Sequence, residues 1–335
     1  MGEKRKRMSI RSRKENHLNA CLNSDVQSEI SNGFENYRLI NESCPEEDFS
    51  ALNFETDFLN HKISFPLMIS SMTGGTDQSE QINRNLARAA QAMNLPFALG
   101  SQRIYLVNQK LETLKYIREE APDIPILANI GAVQLNYGWT KNELLKLVDS
   151  VNANALILHF NPLQEVFQPE GNTNFRGLID KIKELCADFP VPIVAKEVGF
   201  GISVSTAAKM ADAGIRWIDI AGAGGTSWAK IEALTAGQKI SAETIAPFGG
   251  WGIPTAVCID QIHQKMPEIN LIASGGIRNG IEMRKACLLG AKLCGIAIPL
   301  LRPALENAEA VITVLERYIF QYRAAVFTSS AVEKI

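Results

Sequence analysis

From Pro66 onward, short apolar or β-branched runs alternate with amphipathic stretches of helical length, and residues able to do chemistry gather just after the runs. Eight such runs predict a parallel (β/α)8 barrel, because right-handed crossovers place every helix outside a closed sheet. An open doubly wound sheet would show a Gly-x-Gly-x-x-Gly turn after an early strand, and none stands there. The length of 335 residues suits one such domain with insertions, and 46% hydrophobic against 21% charged residues allows a large core. Residues 1–335 are therefore read as a single barrel domain. Its first 65 residues hold too few apolar side chains for a core of their own, so they are expected to cross the barrel bottom or wrap its rim.

The predicted strands are Leu67–Ser71, Phe97–Leu99, Ile126–Asn129, Ala155–His159, Ile193–Lys196, Trp217–Ala221, Leu271–Ala273 and Cys294–Ala297. Each is too short for a helix and too apolar for a loop. Helical spacing of apolar residues marks Glu80–Met93, Leu111–Glu120, Lys141–Val151, Phe175–Asp188, Ser203–Ala213, Thr255–Lys265 and Ile281–Leu289, and one further helix, Pro303–Arg323, closes the chain. Insertions follow strand four, at Asn161–Asn174, and strand six.

A balance of 34 basic and 36 acidic residues, net −2, gives no field to recruit nucleic acid or an acidic membrane, so a small-molecule partner is expected. The six cysteines form no Cys-x-x-Cys pair, and they are read as reduced thiols. No apolar run nears the ~18 residues of a membrane span and no secretory signal opens the chain, so the cytoplasm is the expected location. Lys4, Arg5, Lys6, Arg7, Arg11, Arg13 and Lys14 make the N-terminus basic, which by itself reads as a solvated tail.

Barrels of this kind place their active sites at the C-terminal ends of the strands. The first strand here is followed by Ser71-Met72-Thr73-Gly74-Gly75, the second by Gly100-Ser101-Gln102-Arg103 and the third by Asn129-Ile130-Gly131-Ala132. The fourth leads into His159-Phe160-Asn161-Pro162-Leu163-Gln164-Glu165, the fifth into Lys196-Glu197-Val198-Gly199, the sixth into Gly224-Gly225-Thr226-Ser227-Trp228 and the seventh into Ser274-Gly275-Gly276-Ile277-Arg278. Turn chemistry explains any one of these, but not seven on one side of the barrel. Gly275-Gly276 before a helix start offers free N–H groups to a phosphate, with the turn at Gly295 to Ile298 as a second candidate. Lys196 ends an apolar strand, so its charge goes into the mouth, either to a structural partner such as Glu197 or to a bound anion. Asn129, Thr226 and Ser101 could supply neutral hydrogen bonds, and Glu165 one hard oxygen ligand of the kind Mg²⁺ takes beside water and phosphate.

Across nearly its whole length this ordered set resembles type 2 isopentenyl-diphosphate isomerase, the flavin-dependent form. Arg13-Lys14 with His17, Gln168-Pro169-Glu170-Gly171 and Trp251-Gly252-Ile253-Pro254-Thr255 complete the match. Gly249-Gly250 departs from it, since many relatives carry a bulkier or acidic residue there. The resemblance implies FMN, Mg²⁺ and NADPH, an isoprenoid-forming isomerase activity, and a homo-oligomer, tetrameric or octameric. By position it assigns FMN to Ser71, Met72, Thr73, Ser101, Asn129, Lys196, Thr226, Gly275, Gly276, Ile277, Ala297 and Ile298. It assigns the substrate to Arg13, Lys14, His17, Ser101, Gln102, Arg103 and Gln164, the metal to Glu165, and catalytic roles to Gln164, Lys196 and His159.

The implied reaction moves a double bond by adding one proton and removing another, with no net electron transfer. An alkene is a poor base, so it needs a strong acid in a dry site, which reduced FMN would provide while NADPH only primes it. Two oxidoreductase readings on the same barrel lack their parts. A hydroxy-acid oxidase needs a His followed by Gly and Arg, which none of His17, His61, His159 and His263 satisfies, and a nucleotide-oxidising type needs a cysteine that Gly222 to Trp228 does not contain. A third reading is a non-catalytic flavin or phosphosugar-binding barrel, which the Gln164-Glu165 insertion does not require.

Overall fold

The computed structural model describes residues 10–235 and 240–335. Lys4, Arg5, Lys6 and Arg7 of the basic cluster lie outside the described residues. Strands β1 (Leu67–Ile69), β2 (Phe97–Ala98), β3 (Ile126–Gly131), β4 (Ala155–Phe160), β5 (Ile193–Glu197), β6 (Trp217–Asp219), β7 (Asn270–Ser274) and β8 (Ala291–Ile296) pair in parallel, and β8 returns to β1 to close the barrel.

The helices that concern the site and its support are α1 (Ile10–Asn23), α2 (Asp77–Met93), α3 (Lys141–Ser150), α4 (Pro162–Phe167), α5 (Leu178–Asp188), α6 (Val204–Asp212), α7 (Trp228–Thr235), α8 (Thr255–Lys265), α9 (Gly280–Leu288), α10 (Ile298–Glu306) and α11 (Ala308–Phe327). Thr76, Thr140, Ser203 and Asn279 cap the starts of α2, α3, α6 and α9 by accepting from backbone N–H groups.

Two predicted helices are corrected. Leu111–Glu120 divides into a 3₁₀ turn, Leu111–Leu114, and a short helix, Tyr116–Glu120. The closing helix starts five residues earlier than Pro303 and is two helices, because Asn307 breaks the run in extended conformation and caps α11, accepting from Ala310 N–H at 2.8 Å. Removing that acceptor in Asn307→Ala is expected to cost about 1 kcal/mol of stability. Denaturant midpoints check this, with Asn307→Asp close to wild type; a midpoint for Asn307→Ala equal to wild type would discount the cap.

Ahead of the barrel, an antiparallel hairpin of Thr56–Phe58 and His61–Ile63 inserts Phe58 and Ile63 among the inward side chains Met68, Ala98, Leu127, Ile157, Val194, Ile272 and Leu293. Phe58 meets Trp217 edge to face with centroids 4.8 Å apart. This plug fills the N-terminal end of the barrel with apolar side chains. Tyr37–Asn41 pairs antiparallel with a C-terminal strand, Ser329–Lys334, that the sequence reading did not include.

Side chains on a strand alternate faces, so residues two positions on occupy the next layer toward the mouth. Stepping by two from Met68, Ala98, Leu127, Ile157, Val194, Trp217, Ile272 and Leu293 gives Ser70, Gly100, Asn129, His159, Lys196, Asp219, Ser274 and Gly295. An apolar layer thus supports a polar one directly above it.

Candidate active site

All of that upper layer except Asp219 lines a cavity of about 280 Å³ at the C-terminal ends of the strands. The register of β5 against β6 sets Lys196 opposite Asp219. Lys196 Nζ lies 2.8 Å from Asp219 Oδ2 and 3.3 Å from Ser274 Oγ, and the Ser274 hydroxyl donates to Asp219 Oδ1. The suggestion of Glu197 as the partner of Lys196 is therefore corrected. Glu197 Oε2 instead accepts from the N–H groups of Val198, Gly199 and Phe200 at 2.5 to 2.6 Å, shaping the loop after β5. Burial outweighs those three bonds and raises its carboxyl to about 7.

On the neighbouring wall Asn129 donates through Nδ2 to Ser71 Oγ and Leu99 O, both at 2.9 Å, so its Oδ1 is the acceptor facing His159 Nδ1 at 2.7 Å. The proton is thus on Nδ1, and Nε2 carries a lone pair. Burial, reinforced by Lys196, Lys14 and Arg103, lowers the imidazole to about 3, so His159 is neutral at physiological pH.

The roof comes from the N-terminus and from the insertions after β4 and β6. Helix α1 buries Leu18, Ala20 and Leu22, and His17 meets Trp228 of α7 edge to face at 5.3 Å. This docking brings Arg13, Lys14 and His17 to the mouth of their own chain. Lys14 Nζ donates to Ser101 O at 2.8 Å, and burial, with Arg13 and Arg103 nearby, lowers its ammonium to about 7. Arg103 donates to Asn172 at 2.9 and 3.2 Å once that amide is turned to present its oxygen, and Gln134 Nε2 donates to the same oxygen at 3.1 Å.

In α4, Asn161 Nδ2 donates to Gln164 Oε1 at 3.0 Å and to Glu165 Oε1 at 3.1 Å, while Glu165 Oε2 accepts from Asn172 N–H at 2.6 Å. Gln164 Nε2 and Gln168 Nε2 donate to Glu232 Oε1 at 3.0 and 3.1 Å, and His17 Nε2 stands 3.3 Å from the same oxygen. Glu232 is fully buried and its second oxygen has no hydrogen-bond partner among the described residues.

The predicted residues Arg13, Lys14, His17, Ser71, Met72, Thr73, Ser101, Arg103, Asn129, His159, Gln164, Glu165, Lys196, Thr226, Gly275, Gly276, Ile277, Ala297 and Ile298 all line this one cavity. Gln102 does not join them. It turns into the wall, accepting from Asn129 N–H at 2.9 Å and donating to Ser150 Oγ at 3.3 Å, because its backbone N–H is tied to Asn129 O at 2.9 Å. Asp219 and Glu232 were missed. A charge inside the apolar run Trp217 to Ala221, and another between the buried Ala229 and Ile231 and the turns that follow, were the available signals.

A flavin phosphate fits the corner after β7 and β8. Helix α10 starts at Ile298, after Ala297 with no side-chain cap, and Gly275 and Gly276, at φ +98° and +78°, pack against Gly222, Gly224 and Gly225 so closely that a Cβ would strike backbone. Gly295 keeps the floor open, since a Cβ there would meet Ser274 Cβ at 3.1 Å and Ser70 Cβ at 3.4 Å. For a divalent cation, the described residues hold no group of three His, Cys, Asp or Glu side chains. Glu165 fits as a lone protein ligand, its carboxylate oriented by Asn161 and Asn172, with the other positions left to water and phosphate.

A closed barrel with a polar upper layer, a lysine in that layer and a close-packed glycine corner at the mouth fits the class of FMN-binding (β/α)8 barrels. Residues 161–318 match the family model for FMN-dependent dehydrogenase. A solved flavocytochrome b2 variant with benzoylformate has the same fold, with a TM-score of 0.69 at 14% identity, covering 93% of this chain and 78% of its own. Within the class, the chain belongs to the type 2 isopentenyl-diphosphate delta-isomerase family. It is 45% identical over 317 residues to the isopentenyl-diphosphate delta-isomerase of a Nostoc species, covering 94% of this chain and 91% of that one. The Synechococcus protein of the same name is 46% identical over 317 residues, covering 94% and 90%. No helix among the described residues is long and apolar enough to cross a membrane.

Proposed function

We propose that this chain interconverts isopentenyl and dimethylallyl diphosphate by a 1,3-allylic proton shift, with FMN, Mg²⁺ and NADPH as the primer of the flavin. The observation that carries this reading is the sharing of one cavity by a flavin corner, at Lys196 and Gly275-Gly276, and a diphosphate corner, at Lys14, Arg103 and Glu165. Reduced FMN, when bound, supplies the acid–base pair for the shift, and Mg²⁺ offsets the diphosphate charge.

The chain's residues do the rest. Arg13, Lys14 and Arg103 bind the diphosphate oxygens by charge-assisted hydrogen bonds, and α1 covers the mouth and keeps water out. Gln164, fixed at one end by Glu232 and at the other by Asn161, keeps one N–H and one lone pair to orient the ligand. His159 acts as a neutral acceptor through Nε2. Lys196 shares its charge with Asp219, so it meets the flavin as a hydrogen-bonded cation whose field is partly cancelled. Cys21 also lines the cavity, but burial raises its thiol to about 11, which disfavours a thiolate nucleophile and the oxidoreductase chemistry that needs one.

Lys14 gives the reading a pH signature. Its ammonium is charged below about 7 and neutral above, so kcat/KM is expected to fall as pH rises through that value. Lys14→Arg, which stays charged, should move this limb to higher pH. A limb unchanged in Lys14→Arg would remove Lys14 from substrate capture.

An anaerobic assay with isopentenyl diphosphate, FMN, Mg²⁺ and NADPH tests the function itself. Dimethylallyl diphosphate should accumulate over many turnovers with NADPH consumed only to prime the enzyme. Stoichiometric NADPH loss, or no product, would overturn the proposal.

A further inference from the structure

Behind the phosphate corner runs a second layer of polar contacts supplied by residues 24–33. Gln27 forms an antiparallel bridge with Thr226, flanked by bonds from Ser227 N–H to Val26 O and from Ser28 N–H to Gly225 O, each at 2.8 Å. The Gln27 amide donates to Gly224 O at 2.8 Å and to Gly225 O at 3.0 Å, and its Oε1 accepts from Arg278 Nη2 at 2.7 Å. Asn32 Nδ2 donates to Gly276 O at 2.7 Å. Where the segment crosses Gly224, at φ +110°, a Cβ would run into the Asn32 backbone, so the crossing requires glycine.

These bonds have a consequence on the inner side of the loops. In a trans planar peptide the N–H of the next residue points away from the carbonyl. Holding Gly225 O and Gly276 O from outside therefore fixes the N–H directions of Thr226 and Ile277, both residues of the cavity wall. The same glutamine holds Arg278, another wall residue.

We infer that Gln27, seconded by Asn32, is a positioning residue for the phosphate of the flavin nucleotide, and that docking of residues 24–33 and capture of that phosphate are one coupled equilibrium. The inference rests on the FMN reading above and deepens it. Coupling between two binding events is reciprocal, so the phosphate must tighten the segment as much as the segment tightens the phosphate. Riboflavin, with the same ring and no phosphate, engages the ring pocket without drawing on this corner.

The test uses the full-length apoprotein titrated with FMN and, separately, with riboflavin, following flavin fluorescence, together with hydrogen exchange of residues 24–33. In the wild type, FMN should slow exchange of the segment and riboflavin should not. Gln27→Ala should weaken FMN about tenfold, the loss of one charge-assisted bond and its aligned neighbours, while riboflavin affinity stays within about twofold. Gln27→Glu keeps an acceptor for Arg278 but loses both donors, and should also weaken FMN. Arg278→Ala should cost less in the Gln27→Ala background than alone.

FMN affinity unchanged in Gln27→Ala, equal losses for both flavins, or segment exchange indifferent to FMN would each overturn the proposal. The wild-type exchange comparison decides the matter even where a variant fails to fold. Wild-type protein that binds neither flavin would instead overturn the FMN reading, a result distinct from wild type binding FMN with Gln27→Ala unaffected.

Discussion

Glu165→Gln is expected to lower kcat/KM by about three orders of magnitude, equivalent to roughly 4 kcal/mol of transition-state stabilisation, while FMN remains bound. Glutamine has the same shape, and its one oxygen can keep the bond from Asn172 N–H while the bond from Asn161 Nδ2 is lost, so the fold of α4 and the following turn should persist. What it lacks is the charge. With no cluster of three ligating side chains among the described residues, this one carboxylate is the proposed protein anchor for the cation, and the variant leaves the diphosphate charge to Arg13, Lys14 and Arg103 alone. Titration of activity with Mg²⁺ should show a raised requirement, and flavin absorbance should be that of wild type. Loss of FMN from Glu165→Gln, or a wild-type Mg²⁺ requirement, would sink the assignment.

The double substitution Arg13→Ala with Lys14→Ala should raise KM at least ~100-fold, since each charge-assisted hydrogen bond to phosphate is worth about 1.5–3 kcal/mol. Substitution is a cleaner test than truncation, because α1 begins at Ile10 and its later residues Leu18 and Leu22 are packed. Those contacts, and the His17 ring on Trp228, should hold α1 in place after both cations are removed. The flavin spectrum should be unaltered, and raising salt should weaken wild type more than the variant. A wild-type KM at physiological salt would return the basic segment to a solvated tail.

Much of the site was legible because its signals are local. Lys196 at the end of Ile193–Lys196 and Asn129 at the end of Ile126–Asn129 stand out as polar residues on apolar strands, and a barrel sends such strand ends to one mouth. Gly275-Gly276 announced a close-packed turn at the mouth through backbone chemistry alone. The Gly249-Gly250 departure meets a tertiary neighbour: a Cβ at Gly249 would come within 3 Å of the Glu29 carboxylate, and Glu29 N–H donates to Gly249 O at 3.1 Å. A larger residue there would turn the exposed Glu29 side chain aside.

By itself the amino-acid order determined the eight strands, the helices between them and the polar residues at the strand ends, since period and turn chemistry act over a few residues, but not the helices α1, α4 and α7 that roof the mouth. Tertiary structure decided which of those side chains meet. Lys196 pairs with Asp219 rather than with its neighbour Glu197 because strand register, a long-range property, puts the first two side by side in the barrel interior while Glu197 points the other way. Gln102 faces the wall and Glu232 holds Gln164 for the same reason: side-chain direction and the partners of a buried charge are fixed only when the sheet closes and water is excluded, and no local pattern in the chain encodes them.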